Sequence, residues 1–498
     1  MAMQNAFMAF PWAVALILLP LTGAICCFLF PRISRALGLI TSFAIVVSVV
    51  GLGWQLLEHG SYRHAVGGWG APLGIELYAD GLSLLMLATT ALVGFAISVY
   101  STTYFKPALA VRFWPIWMCL LAALNALFLS ADIFNLYVTL ELLGLSAVAL
   151  TALTGSKEAL SGAMRYLLAT LLASLAYLLG VALLYHSFGS VDITILAQQI
   201  QASHAATSSV TPAVWAALGL MAAGLMLKTA IFPLHFWLPP AHGSAPAPVS
   251  ALLSALVVKA SFYILLRLWF TLFEPLVDGE AINTMMGLLG CAAILWGSVQ
   301  AMRQTRLKLL IAYSTVAQIG YLFLVFPLAA NMGSVAWNGV AYLIISHALA
   351  KSAMFLCAGN LLCFGGHDRI ADLDRVVQRL PLTAAAFALA GVSIMGLPPS
   401  GGFIGKWLLL EAAVTQGRWD IAAVMMLGGL LAAAYIFKVI GHTFIQAPVT
   451  HEAQPVSASM QWSALLLAIG AMLLGFLSLP VLSLLNISDI TLASGVGS

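Results

Sequence analysis

The stretch LKTAIFPLHFWLPPAHGSAPAPVSALLSALVVKASFYILLR, Leu227 to Arg267, decides what kind of chain this is. It is too apolar for a water-exposed segment, yet it carries Lys228, His235, His242 and Lys259 among Leu, Ala and Val. Pro233 removes a backbone donor and clashes with the preceding turn, so the helix entering it must break there. Broken backbone inside a bilayer survives only where protein buries it or water lines it. The stretch therefore predicts a membrane span interrupted beside a buried lysine, followed by a second span with a lysine at its centre.

The rest of the chain agrees with a membrane setting. Of its 498 residues, 62% are hydrophobic and only 7% charged, with a mean hydropathy of +1.03. Soluble domains are about 25% charged. Many apolar stretches run to about 20 residues, the length of a helix crossing a hydrocarbon core of roughly 30 Å. The reading is an all-α membrane protein of about fourteen spans: 11–30, 36–56, 80–104, 113–130, 132–154, 160–186, 213–239, 246–272, 283–301, 308–330, 335–364, 383–415, 420–445 and 461–485. Phe10 to Phe30 lacks a basic leader and a small-residue cleavage site, so it reads as a retained first helix. The polar stretches 57–79, 186–212, 365–381 and 446–460 read as loops or short surface helices.

Charge distribution orients this arrangement. With the N-terminus outside, the inner side collects Arg32, Arg35, Lys106, Arg112, Lys157, Arg165, Arg303, Arg306, Lys308, Arg369, Arg375 and Arg379, leaving Arg63 and Arg418 outside. That is the positive-inside pattern, with both termini on the outer side of a bacterial inner membrane. A net charge of +3 from scattered residues gives no nucleic-acid footprint. Cys26, Cys27, Cys119, Cys291, Cys357 and Cys363 all fall in apolar segments without a Cys-x-x-Cys pair, and read as small core residues.

A second break is written in GLPPSGGFIGKWLLLEAA, Gly396 to Ala413, where Pro398 and Pro399 interrupt the span before Lys406. Breaks five spans apart predict two inverted five-span repeats, spans 4–8 and 9–13. The expected organisation is 1–110, 111–273, 280–446 and 460–498: three leading helices, two repeats and a closing helix with its tail.

The ionisable residues fall at one depth. Glu141 is about ten residues into its span, roughly 15 Å deep. Lys228, Lys259, His347, Lys351 and Lys406 count to similar positions. Such groups are costly in a bilayer and mark ion paths by default. Desolvation makes a buried amine readier to release its proton, whereas metal cations want oxygen ligands and are repelled by lysines. A row of Lys, His and Glu thus favours protons. His347 and Lys351, four apart, share a helix face. His235, His242 and Glu411 are further candidates, although Glu411 points away from Lys406. No metal site is expected, because His347 has no matching intramembrane histidine. Lys438 and His442 read as snorkelling side chains, and Arg165 and Arg267 as interface anchors.

Together, FNLYVTLELLGLSAVAL around Glu141, the opening stretch, LKLLIAYSTVAQIGY, HALAKSAMFLCAG and GLPPSGGFIGKWLLLEAA resemble the antiporter-like subunit superfamily. It includes proton-translocating components of Mrp-type sodium/proton antiporters, of respiratory complex I and of membrane hydrogenases. In its short form this chain most resembles the D-type component of the Mrp antiporters. The resemblance implies a proton relay in which Glu141 pairs with Lys228, Lys259 is central, His347 and Lys351 bridge, and Lys406 serves the exit side. Gln318 stands where some members carry His. It also implies other membrane subunits as partners, which would carry any sodium movement; no flavin, nicotinamide, quinone or iron–sulfur motif appears in the sequence, so no cofactor is expected on this chain and any redox chemistry sits on those partners. A self-sufficient secondary transporter, or a membrane redox enzyme subunit, is the alternative.

Overall fold

The computed structural model describes residues 10–207, 211–276, 280–329, 334–447 and 454–487. The first nine residues, the C-terminal tail from 488 and part of the 446–460 stretch lie outside the described residues. Twelve helices are long and apolar enough to cross a membrane. They coincide with twelve of the spans expected from the sequence. The expected span at 383–415 is divided into Pro381–Met395 and Gly401–Thr415. The last, expected as one span over 461–485, is instead the pair Ala458–Leu473 and Ser478–Leu484, bent by 85°. The bend falls where Gly475 presses against the Pro399 carbonyl, so closely that a Cβ there would overlap it.

The most buried helices stand at the centre. Ala247–Phe273 and Val335–Gly365 are enclosed along their apolar windows, and Leu307–Leu328 nearly so, whereas Trp12–Leu29 and Trp419–Phe444 are mostly peripheral. A helix packed on all sides can hold lysines away from lipid, and these central helices carry Lys259, Lys308, His347 and Lys351. Within Ala247–Phe273 the pitch widens to a π-helical turn at Leu253–Val257, a feature that often accompanies functional positions.

One polar stretch departs from the expected loops and surface helices. Tyr62–Ala65 pairs antiparallel with Glu76–Ala79, forming a two-stranded hairpin. Arg63 closes it, reaching Glu76 at 3.2 Å and Thr194 at 2.7 Å. The strands are only four residues each, separated by a Gly/Pro-rich connection, too short for an alternating pattern to register. The stretch 186–212 holds the helix Ile193–Thr207, and 365–381 holds two short helical turns.

Candidate functional site

Both chain breaks take the form their sequences dictate. Helix Pro212–Thr229 stops at Ala230, which adopts a left-handed conformation (φ 58°), and Pro233 follows before the chain resumes as Leu238–Ser244. Helix Pro381–Met395 ends at Gly396 (φ 82°), whose N–H donates to the Val392 and Ser393 carbonyls at 3.1 Å. Ser400 then caps the next half-helix, accepting from the Phe403 N–H at 3.2 Å.

The lysine beside each break donates to a different kind of acceptor: a carbonyl of the broken span for Lys406, a hydroxyl of the neighbouring helix Lys157–Phe188 for Lys228. Lys406 Nζ donates to the Ile394 carbonyl at 2.7 Å, at the end of the preceding half-helix, and lies 4.4 Å from the centre of the Tyr321 ring. A lateral groove of about 400 Å³, mostly apolar and including Tyr321, Trp407 and Leu430, opens onto it. Lys228 Nζ donates to Thr170 Oγ1 at 2.8 Å and lies 3.6 Å from Glu141 Oε1. The side chain of Glu141 is about one-fifth exposed, on a face shared with exposed Phe134, Val138 and Leu145. A cavity of about 10 Å³, near the size of one water, separates Lys228 from Ser261.

Lys259 is fully buried, and its ammonium donates to the Ser254 carbonyl. Ser254 Oγ in turn contacts Thr315 Oγ1 at 2.7 Å. Lys351, also fully buried, donates to the Ile311 carbonyl at 3.1 Å and to Ser314. The amine of Lys351 lies within Coulombic range of both Lys259 and Lys406. His347 lies within range of all three lysines, with neither ring nitrogen paired to a protein group. Among the described residues, Lys228 is the one lysine of this set with a carboxylate at salt-bridge distance.

His242 occupies the other side of the row. It is fully enclosed, beside the Leu238 carbonyl, without a well-formed hydrogen bond to either ring nitrogen. Lys259, Lys308 and Lys351 all lie within Coulombic range of it. His235 is half-buried and stacks on Phe232, 5.6 Å between ring centres. Glu411 faces outward from its helix, apart from the row.

Three positive side chains behave differently from expectation. Lys308, counted among the inner loop charges, is buried and donates to the Ala245 carbonyl. It forms the floor of a vestibule of about 680 Å³ whose walls include Ser156, Glu158, Arg165, Arg306 and Asp368. Half-helix Leu238–Ser244 packs on Leu307–Phe323 and so roofs over this lysine. Lys438 does more than snorkel: at the helix end it donates to the Met302 and Gln304 carbonyls at 2.9 and 2.8 Å, capping helix Glu280–Arg303. Arg267 is no interface anchor but is buried against Asp80, at 2.5 and 2.8 Å.

The arrangement joins an open vestibule to a row of amines and imidazoles in the bundle's interior. The row is interleaved with hydroxyls of Ser254, Thr315 and Ser314. Groups that both accept and donate protons can hand one along such a row. Among the described residues, no group of three or more His, Cys, Asp or Glu side chains could hold a metal ion.

Comparison with known proteins places this architecture. The family described as NADH:quinone oxidoreductase/Mrp antiporter, TM, matches residues 130–432, a range that begins before Glu141 and ends beyond Lys406 and so takes in the whole row. NADH-quinone oxidoreductase subunit N of Desulforudis audaxviator (strain MP104C) is 34% identical over 496 residues, covering 94% of this chain and 96% of that protein. The D component of the Na(+)/H(+) antiporter of Bacillus subtilis (strain 168) is 28% identical over 426 residues, covering 84% and 81%. Among solved structures, a chain of the membrane-bound sulfane sulfur reductase, an archaeal respiratory membrane complex, superposes with a TM-score of 0.87 at 25% identity, covering 95% and 96%. With its multi-pass helical fold, its broken spans and a match over most of its length, the chain belongs to the NADH:quinone oxidoreductase/Mrp antiporter transmembrane family.

Proposed function

We propose that this chain is a proton-translocating subunit of a multisubunit assembly in a bacterial inner membrane, with both termini on the outer face. The observation that carries the reading is the row of buried groups, each within Coulombic range of the next, from the vestibule through Lys308 and His242 to Lys259, then Lys351 and His347, then Lys406. The vestibule wall and rim include Arg165 and Arg306, two of the cations that favour the inner side. Inner water thus reaches Lys308, while Glu141 and Lys228 form a charged pair on the flank. Lys259, Lys351 and Lys406 repel one another when all are ammonium, so a proton arriving at one favours release at the next. A change in the Glu141–Lys228 pair alters the field on this row and gives a partner subunit a means of driving it. The exposed apolar face around Glu141 and the groove at Lys406 lie where neighbouring membrane subunits would pack. Residues 111–273 and 280–446 are read as inverted repeats, each contributing one broken span and its lysine.

The test is proton translocation by the whole assembly reconstituted in vesicles, followed with an internal pH-sensitive dye. Glu141→Gln keeps the shape but removes the negative charge that faces Lys228. Coupled transport is expected to fall by about tenfold or more in a normally assembled complex, since the partner of a buried charge has been removed. Native coupling in that variant would remove the pair from the mechanism. Lys308→Ala is expected to slow transport by a few-fold without abolishing it, because the space the side chain vacates admits vestibule water towards His242. Complete loss would make Lys308 an obligatory carrier; no change at all would move the inlet elsewhere.

A further inference from the structure

The helix carrying Lys259 has a second polar feature that the row does not use. Lys259, Tyr263 and Arg267 are spaced four apart in the regular segment Val258–Leu268, and so share one face. This face runs about 12 Å along the axis from the central lysine towards the end of the bundle that carries the hairpin. It leads from Lys259 towards that surface and ends in a closed network.

Arg267 grips Asp80 with both terminal nitrogens, Nη1 to Oδ2 at 2.8 Å and Nη2 to Oδ1 at 2.5 Å. Its Nε donates to the Tyr263 hydroxyl at 2.7 Å, and that hydroxyl donates to the Phe128 carbonyl at 3.0 Å. The Asp80 carboxylate is fixed a third time: it caps helix Gly81–Tyr104, accepting from the Ser83 N–H at 2.9 Å. Ile487 closes the top, where the Gly81 N–H donates to its carbonyl at 2.7 Å. Beyond the pair, the Tyr78 ring lies 5.9 Å from the Arg267 guanidinium and 4.8 Å from that of surface Arg63. Arg267 and Asp80 are both buried.

We propose that the Arg267–Asp80 pair is a seal that makes the Lys259–Tyr263 face a dead end, so that a proton on Lys259 leaves sideways towards Lys351 and Lys406. The inference rests on the relay reading above. A proton passes along a row only if each member can accept one and release another. A guanidinium has donors but no acceptor and keeps its proton in proteins. The Tyr263 hydroxyl spends its donor on a backbone carbonyl, and the carboxylate oxygens are taken. A bidentate arginine is therefore the one cation that can occupy this position without relaying, where a lysine would extend the row to the surface. A fixed arginine closing a polar path against protons is physically precedented in pores.

The test measures passive proton leak of the reconstituted assembly under an imposed potassium diffusion potential, with no substrate to drive turnover. Arg267→Lys keeps the charge and its partner but introduces a group able to release its proton. Leak is expected to rise at least about tenfold, and Tyr263→Phe added to this variant should restore tightness by interrupting the face. Tyr263→Phe alone should be tight and fully coupled. An assembled Arg267→Lys complex as tight as the native one overturns the seal. So does loss of coupled transport in Tyr263→Phe alone, because the face would then be the conducting path. Leak without turnover reports on the seal, whereas coupled transport in Lys259 variants reports on the relay, so the two failures are separable.

Discussion

Lys259→Ala is expected to abolish coupled proton transport, a loss of at least about 10²-fold, while the subunit still folds and assembles. The amine sits at the centre of the row, fully buried, with His242 on one side and Lys351 on the other, both within Coulombic range. Alanine removes the amine that the proposed relay needs at its centre and leaves an apolar gap in its place. Folding should tolerate the change. The amine has no carboxylate partner among the described residues, its loss removes a buried charge, and alanine is a better helix former. Lys259→Arg makes the test sharper. It preserves the charge and the donors, but a guanidinium does not release its proton. The arginine variant should therefore be as inactive as the alanine variant. Native transport in an assembled Lys259→Arg complex would show that this position supplies charge and not proton transfer, and the relay would fail. Size-exclusion chromatography of the assembly and dye-monitored transport in vesicles give both readings from one preparation.

Much of this arrangement is legible in one dimension because a bilayer simplifies the problem. An apolar run of the right length must be a helix, and residue count along it gives depth, so the level of Lys228, Lys259, His347, Lys351 and Lys406 follows from counting. Pro233 and the Pro398–Pro399 pair announce the breaks, since a helix cannot absorb them. What counting misses is rotation and neighbourhood. Lys308 stands at the first turn of its helix, where a lysine normally reaches water. It is buried because Leu238–Ser244, a half-helix created by the distant Pro233 break, lies across it. Arg267 reads as an anchor near a helix end because its partner, Asp80, is 187 residues away. Lys438 looks like a snorkelling chain until the end of Glu280–Arg303 is seen to need its donors. The last span bends because Gly475 meets the Pro399 loop, a contact between separate segments that no local pattern encodes. Hydroxyls such as Ser254, Thr315 and Ser314 are common in membrane helices, and only their contacts single them out.

Gly402→Ala is expected to displace Lys406 and to destabilise the second broken span, although by helix propensity alone it should help by up to about 1 kcal/mol. The reason is a backbone crossing. A Cβ on Gly402 would overlap the carbonyl of Ser393 in the half-helix before the break, and backbone atoms cannot swing aside as a side chain can. The half-helix Gly401–Thr415 that carries Gly402 also packs against Val335–Gly365 through Gly405, whose Cβ would come within 2.8 Å of the Leu343 Cβ. It is thus held from two sides and has little room to retreat. Overpacking of this kind costs about 1–3 kcal/mol, enough to outweigh the propensity gain. Lys406 lies one turn beyond Gly402 on the same face, so a shift there pulls its amine from the Ile394 carbonyl and from the Tyr321 ring. Transport should fall in proportion to that displacement even where the subunit still assembles. Gly441→Ala is the matched control: a Cβ there meets nothing within 4 Å, so the propensity gain acts alone, the melting temperature should hold or rise and transport should stay native. Equal behaviour of the two variants would mean that the half-helices do not cross this closely and that the break does not position Lys406. A lower melting temperature and weaker transport in Gly402→Ala alone would tie the Gly/Pro sequence of the break to the placement of its lysine.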